Sequence, residues 1–305
     1  MTASASRLPP PPGAHGGDGA AVAAALGIDS ASVLDLSASL NPAAPDPGPA
    51  VRAAVDAGAL GRYPDPSAAR RALAEAMGVG PERLLLTNGG AEAISLLAGL
   101  MGGQVDEPEF SLHPRGGPDE PRWRSNPHNP SGLLAEPTAT AEVWDEAFYP
   151  LATGAWTRGD AGVPVVGSLT KLFACPGLRI GYLLADPDTV ARTTARQPAW
   201  SVNGMAAAAL PVLLENADLA GWASAIAELR AQLTTLLQAH GLDPQPSDAN
   251  YVLCTRAAGL RERLAPHGVV VRDCTSFGLP GQARIAVPGP DGLERLARAL
   301  EDTAK

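Results

Sequence analysis

The stretch Gly167–Tyr182, GSLTKLFACPGLRIGY, contains Lys171, one of only two lysines in 305 residues; the other is Lys305 at the end of the chain. Of 23 Lys and Arg residues, arginine fills all the remaining positions, in a chain rich in Ala, Gly and Pro. Arginine serves in salt bridges, phosphate clamps and solvated surface. Its guanidinium stays protonated, however, and cannot act as an amine nucleophile, whereas a lysine amine can form a Schiff base with a carbonyl. A lysine kept against that bias is either a leftover surface cation or a group retained for amine chemistry, and its neighbours must decide. They are an apolar strand pattern on each side, VPVVG before and RIGYLLA after, with Ser168, Thr170 and Arg179 close by.

Working outward, PERLLLTNGGAEAISLLAGLM (Pro81 to Met101) reads as strand, glycine turn and helix, which brings backbone N–H groups to a helix start and makes a seat for phosphate. A short helix is expected after Asp18, ending at Gly27, with others at Gly48 to Ala57 and Ser67 to Met77, the last with Ser67 as N-cap. A long helical region spans Asn203 to His240. Beyond it NYVLCT, GVVVRDC and ARIAV read as strands, alternating with helices at Gly259 to His267 and Asp291 to Ala304. Strands alternating with helices imply an α/β architecture. The division expected is a Pro-rich, extended or disordered segment at 1–14, an N-terminal arm at 15–47, a large domain at 48–202, and a connecting helix with a small domain at 203–305.

Composition narrows the function. A net charge of -9 without a basic run argues against nucleic-acid or anionic-membrane partners, since both require a cationic stripe. The longest apolar stretches, such as GMAAAALPVLL at Gly204, are too short to span a bilayer, and the N-terminus lacks the regions of a signal peptide, so a cytoplasmic location is expected. Cys175, Cys254 and Cys274 have no C-x-x-C spacing and read as buried free thiols rather than a disulfide framework or a metal site.

Five short segments stand in order along the chain: YPDP at 63, NGGAE at 88, NPHNPSG at 126, DEAF at 145 and SLTKLFACPGLRIGY at 168. In this order they resemble the fold-type I pyridoxal-phosphate enzymes of the class I/II aminotransferase family, over roughly residues 15–300. The resemblance implies a mixed, mainly parallel central sheet between helices, shortened here, plus a small α+β C-terminal domain. It implies pyridoxal 5'-phosphate as cofactor, with Lys171 as the Schiff-base lysine and Asp145 facing the ring nitrogen. Asn129 would donate to the ring hydroxyl, and Phe110 would stack on the ring. The phosphate would fall to Gly90, Ala91, Ser168, Thr170 and Arg179, with Tyr63 reaching the site of a second subunit in a homodimer. Read without the resemblance, Asp145 would be a helix-capping or surface acid, Asn129 a turn residue before proline and Phe110 a core aromatic.

Within the family, HGGD at His15, QPAWSVNG at 197 and RDC at Arg272 look most like threonine-phosphate decarboxylases of the cobalamin pathway, with histidinol-phosphate aminotransferases also similar. That likeness implies a phosphorylated amino acid as substrate, its carboxylate on Arg284, and Arg272, His15 and Asn250 as further substrate contacts. His15 alone reads as well as a residue of a mobile segment, and Asn250 as the start of a strand. The reaction implied is decarboxylation of L-threonine O-3-phosphate; the alternatives are transamination of histidinol-phosphate type and cofactor binding without turnover. The chain departs from the pattern at Phe148, where some relatives have tyrosine, at Ser39, at Pro288, and between Phe110 and Asn126, too short for the usual strand, helix and strand.

Overall fold

The computed structural model describes residues 9–303. Their strands are β1 (Leu34–Leu36), β2 (Leu84–Thr87), β3 (Trp123–Ser125), β4 (Val143–Asp145), β5 (Val165–Gly167), β6 (Gly181–Leu184), β7 (Tyr251–Cys254), β8 (Val269–Asp273) and β9 (Ala283–Ala286). One sheet runs β2-β6-β5-β4-β3. In it β6 is antiparallel to both neighbours, while β5–β4 and β4–β3 pair in parallel, giving the mixed, mainly parallel sheet that was expected.

The strands of this sheet are apolar on both faces because both faces are covered. Alternate residues point to opposite cores. Leu84, Leu86, Trp144, Val165 and Leu184 join one core; Leu85, Val143, Val166 and Leu183 join the other, against Ile94 and Leu97 of the helix Gly89–Met101. Each fully buried leucine contributes about 2 kcal/mol of apolar burial, so a one-residue slip of register would be strongly penalised.

The region too short for its usual elements ends the sheet at β3. No strand pairs beyond it among the described residues, yet its outer N–H groups at Trp123 and Ser125 are satisfied. Trp123 N–H donates to Gln104 O (2.8 Å), and Ser125 N–H donates to the Glu109 carboxylate (2.9 Å). Glu109, itself buried, also takes the Ser125 hydroxyl. A carboxylate and a loop carbonyl thus do the work of an edge strand.

The second sheet has the order β1-β8-β9-β7. β1, from the N-terminal part of the chain, lies parallel to β8, and β9 is antiparallel to both β8 and β7. The long helical region is two helices, Gly204–Glu215 and Leu219–Ala239, with Asp218 capping the second by accepting from Gly221 N–H. The second helix connects the two cores: Ile226 packs in the first, Leu233 and Leu237 in the core of the second sheet. Ser67 is not an N-cap. It is the first residue of the helix Ser67–Met77, and Asp65 Oδ1 accepts its N–H at 2.9 Å. Residues 9–14 carry no helix or strand, and Arg261 of the helix Leu260–Leu264 donates to Pro10 O; residues 1–8 of the segment expected to be extended or disordered lie outside the described residues. All three cysteines are buried and free. No helix among the described residues is long and apolar enough to cross a membrane.

Candidate active site

Where β5 ends, Ser168 turns the chain and its Oγ accepts Lys171 N–H at 3.4 Å. Thr170 then staples this turn to the segment before β6: its N–H and hydroxyl donate to Ile180 O, and the hydroxyl accepts Ile180 N–H. The staple holds Arg179 in the left-handed region, at φ 52°. That conformation costs about 1 kcal/mol in a residue other than glycine, and it turns the guanidinium back towards the lysine loop. Ser168, Thr170, Lys171 and Arg179 all border one cavity of about 300 Å³, a volume suited to a small molecule. Thr170 is a brace as much as a lining residue, its hydroxyl being engaged with Ile180.

Lys171 is half-buried. Burial, then the charges of Arg284 and Arg179, pull its pKa down from 10.5 to about 8, with Asp35 opposing. At pH 7 roughly a tenth of such an amine is unprotonated, far more than for a solvated lysine.

Gly90 and Ala91, at the start of the helix Gly89–Met101, form the adjoining wall. β6 approaches that helix start so closely that a Cβ on Gly181 would lie 2.5 Å from Gly90 N. Gly89 has φ +76°, and a Cβ there would meet Arg179 Nη2 at 2.3 Å. Exposed N–H groups at a helix start beside an arginine and the Ser168 hydroxyl make a seat for a phosphate dianion.

Asp145 closes β4 and borders the cavity. Its Oδ1 accepts Ala147 N–H, and its Oδ2 lies 2.9 Å from His113 Nε2, which donates to it. His113, buried between Phe110 and Trp123, escaped the sequence reading; the only signal was a histidine three positions after Phe110 in a diverged segment. Beside Asp145, burial pushes Glu146 up to about 7, helped by Asp160 and Asp145, against hydrogen bonds from Thr157 and Arg158 N–H. Phe148 lines the cavity and has no donor to offer. Phe110 lines it half-buried, and Asn129 lines it buried, with Oδ1 accepting from Arg284 Nη1.

The opposite wall comes from the second sheet. Arg272 and Arg284 are cross-strand partners on β8 and β9, and both are buried. Burial and the Arg284 charge hold Arg272 below the usual guanidinium range. Arg272 donates to Gly13 O (2.6 Å), Ala14 O (2.5 Å) and Ser276 Oγ (2.6 Å), so it also holds the N-terminal arm against the site. His15 lines the cavity but is exposed, 3.3 Å from Ser111 Oγ. Ala14, Ser37 and Phe277 line it as well, and none of the three carried a signal in the sequence.

Two of the residues singled out lie elsewhere. Asn250 is buried behind the wall, donating to Ser39 O and Leu40 O. It fixes the arm rather than facing the cavity. Tyr63 is 78% exposed and stacked on exposed Trp200, with ring centroids 4.6 Å apart.

The sequence matches the family model for aminotransferase class I and II over residues 124–300. It is 31% identical to the threonine-phosphate decarboxylase of Salmonella typhimurium, covering 95% of this chain and 96% of that one, in an alignment of 350 positions against 305 residues here. It is 27% identical to histidinol-phosphate aminotransferase 1 of Nitrosococcus oceani, covering 88% of each. In fold it is similar to the histidinol-phosphate aminotransferase of Sinorhizobium meliloti in complex with pyridoxal-5'-phosphate, with a TM-score of 0.74 at 21% identity over 87% of this chain and 89% of that one.

The donor set suits that cofactor, which requires an amine for its aldehyde, an anion seat and an acid for its ring nitrogen. Lys171, the start of the helix Gly89–Met101 with Arg179, and Asp145 offer these around a single cavity. The chain belongs to the class I and II aminotransferase family and is an enzyme of its pyridoxal-phosphate type.

Proposed function

We propose that the protein decarboxylates a phosphorylated amino acid, L-threonine O-3-phosphate being the substrate that fits best, with (R)-1-aminopropan-2-ol O-2-phosphate as product. The observation that carries this reading is the buried pair Arg272 and Arg284, neither of which has a carboxylate within ion-pair distance among the described residues. Two unneutralised guanidiniums facing one cavity call for a ligand with two anionic groups. A carboxylate on Arg284 and a phosphate at Arg272, with His15 at the rim, meet that demand.

When bound, pyridoxal phosphate supplies an aldehyde that takes up an amine and a ring that withdraws electrons from Cα. Lys171 holds the cofactor between turnovers and moves the proton at Cα, for which an amine partly unprotonated near neutral pH is suited. Asp145, oriented by His113 and Ala147 N–H, keeps the ring nitrogen protonated. Asn129 has its amide nitrogen available to the ring hydroxyl, while Phe148 leaves that hydroxyl without the second donor some relatives have. Arg284 orients the substrate carboxylate, and with it the bond that breaks.

Transamination of histidinol-phosphate type would use the same lysine end, and relatives of that name support it as the second reading. Binding without turnover was suggested by the shortened sheet, and it loses that motive because Gln104 and Glu109 complete the β3 edge. We further propose a homodimer in which exposed Tyr63 and Trp200 meet the second copy, and a cytoplasmic location, which suits three free thiols. The test is to supply purified enzyme with pyridoxal phosphate and O-phosphothreonine. Stoichiometric carbon dioxide without 2-oxo acid is the expected result; a 2-oxo acid formed from an amino donor, without carbon dioxide, would replace this reading by the second.

A further inference from the structure

The guanidiniums of Arg272 and Arg284 repel one another, and buried charges of one sign are ordinarily held by carboxylates. Here they share an aromatic ring instead. Cζ of Arg272 lies over the Phe277 ring, 5.6 Å from its centroid, and Cζ of Arg284 lies over the same ring at 5.9 Å. Tyr251 offers Arg284 a second face at 4.6 Å. Phe277 is buried, sits in the short turn Thr275–Phe277 that follows β8, and borders the cavity.

An aromatic face attracts a cation through its quadrupole, but it carries no net charge and accepts no strong hydrogen bond. A carboxylate in its place would neutralise a guanidinium and occupy the N–H groups that a ligand needs. With the ring, among the described residues Arg284 keeps an Nε that has no hydrogen-bond partner, and Arg272 gives its terminal nitrogens only to neutral oxygens.

We propose that Phe277 is the positioning residue of the anion-recognition end, its ring holding Arg272 and Arg284 side by side, still charged, so that Arg272 receives the substrate phosphate while Arg284 stays placed for the carboxylate. This rests on the reading of a phosphorylated substrate. Without the ring face, repulsion separates the guanidiniums or turns them further onto the arm and Asn129, and an arriving anion must gather them again.

The experiment uses full-length enzyme saturated with pyridoxal phosphate, so that the cofactor's own phosphate seat is filled, and inorganic phosphate as the probe, titrated by calorimetry. Mono-, tri- and pentafluorinated phenylalanine at position 277 keep the ring's size while weakening and then reversing the potential of its face. The Kd for phosphate is expected to rise stepwise, roughly tenfold over the series, with unchanged cofactor absorbance. Phe277→Leu should weaken phosphate similarly, and Phe277→Trp should retain it. A Kd that stays flat or falls along the series overturns the inference alone, since a space-filling role responds to volume and not to fluorine. No phosphate binding by the unsubstituted enzyme would overturn the phosphorylated-substrate reading together with it.

Discussion

The two ends of the cavity are built in opposite ways. At the lysine end Ser168, Thr170, Lys171 and Arg179 come from one stretch, folded back on itself by the bonds between Thr170 and Ile180. At the arginine end Ala14, Ser37, Arg272 and Arg284 come from distant parts of the chain, brought together when β1 pairs with β8 and β8 with β9. The first is a local device able to present the same groups in any protein with this strand-turn-strand. The second exists only when the second sheet is assembled. On the proposed reading, the cofactor chemistry sits at the local end and the choice of substrate at the composite one.

The sharpest way to break this comparison is Lys171→Ala. Turnover should fall by on the order of 10⁴-fold, and borohydride should no longer fix cofactor to the chain, as mass spectrometry of the peptide would show. An adduct that survives would move the covalent role to Lys305 or the N-terminus. Next comes Arg284→Gln, expected to lower kcat/KM by on the order of 10³-fold with cofactor absorbance intact. Arg284→Lys should not restore the loss, because an ammonium lacks the planar fork that grips a carboxylate. Equal loss of cofactor and of activity would erase the distinction between the ends.

The smallest effect concerns Glu146, beneath the lysine end. Its folded-state pKa is raised from 4.5 to about 7. Between those values the folded protein holds a proton that the unfolded chain has lost, so this group's contribution to stability falls as pH rises through the window and stays low above it. Glu146→Gln should remove that slope and stabilise the protein at pH 8 by about 3 kcal/mol. Urea midpoints at pH 5 and pH 8 would check this, and equal slopes in the two proteins would rule it out.

Legibility follows the same divide. The strand-turn-helix at 81–101 was readable because a buried strand and a helix start leave dense local signals, an apolar run and paired glycines. β3 was not readable, since three residues whose outer edge is satisfied by Gln104 and Glu109 have no strand partner there to announce them. Asn250 resembled a substrate ligand by its place before a strand, but its amide is turned to Ser39 and Leu40 of the arm. Phe277 carried no signal in the sequence, and only the pairing of β8 with β9 put two guanidiniums over its ring.

By itself the amino-acid order determined the family, the cofactor and the strands that flank the Lys171 turn, because amine chemistry and a phosphate seat depend on residue types at short spacing. Only the tertiary structure decided that two arginines face the cavity with no ion-paired carboxylate among the described residues, that His113 orients Asp145, and that the arm is held by Arg272. Those are matters of which distant side chains share a low-dielectric space, and spacing along a chain does not record them.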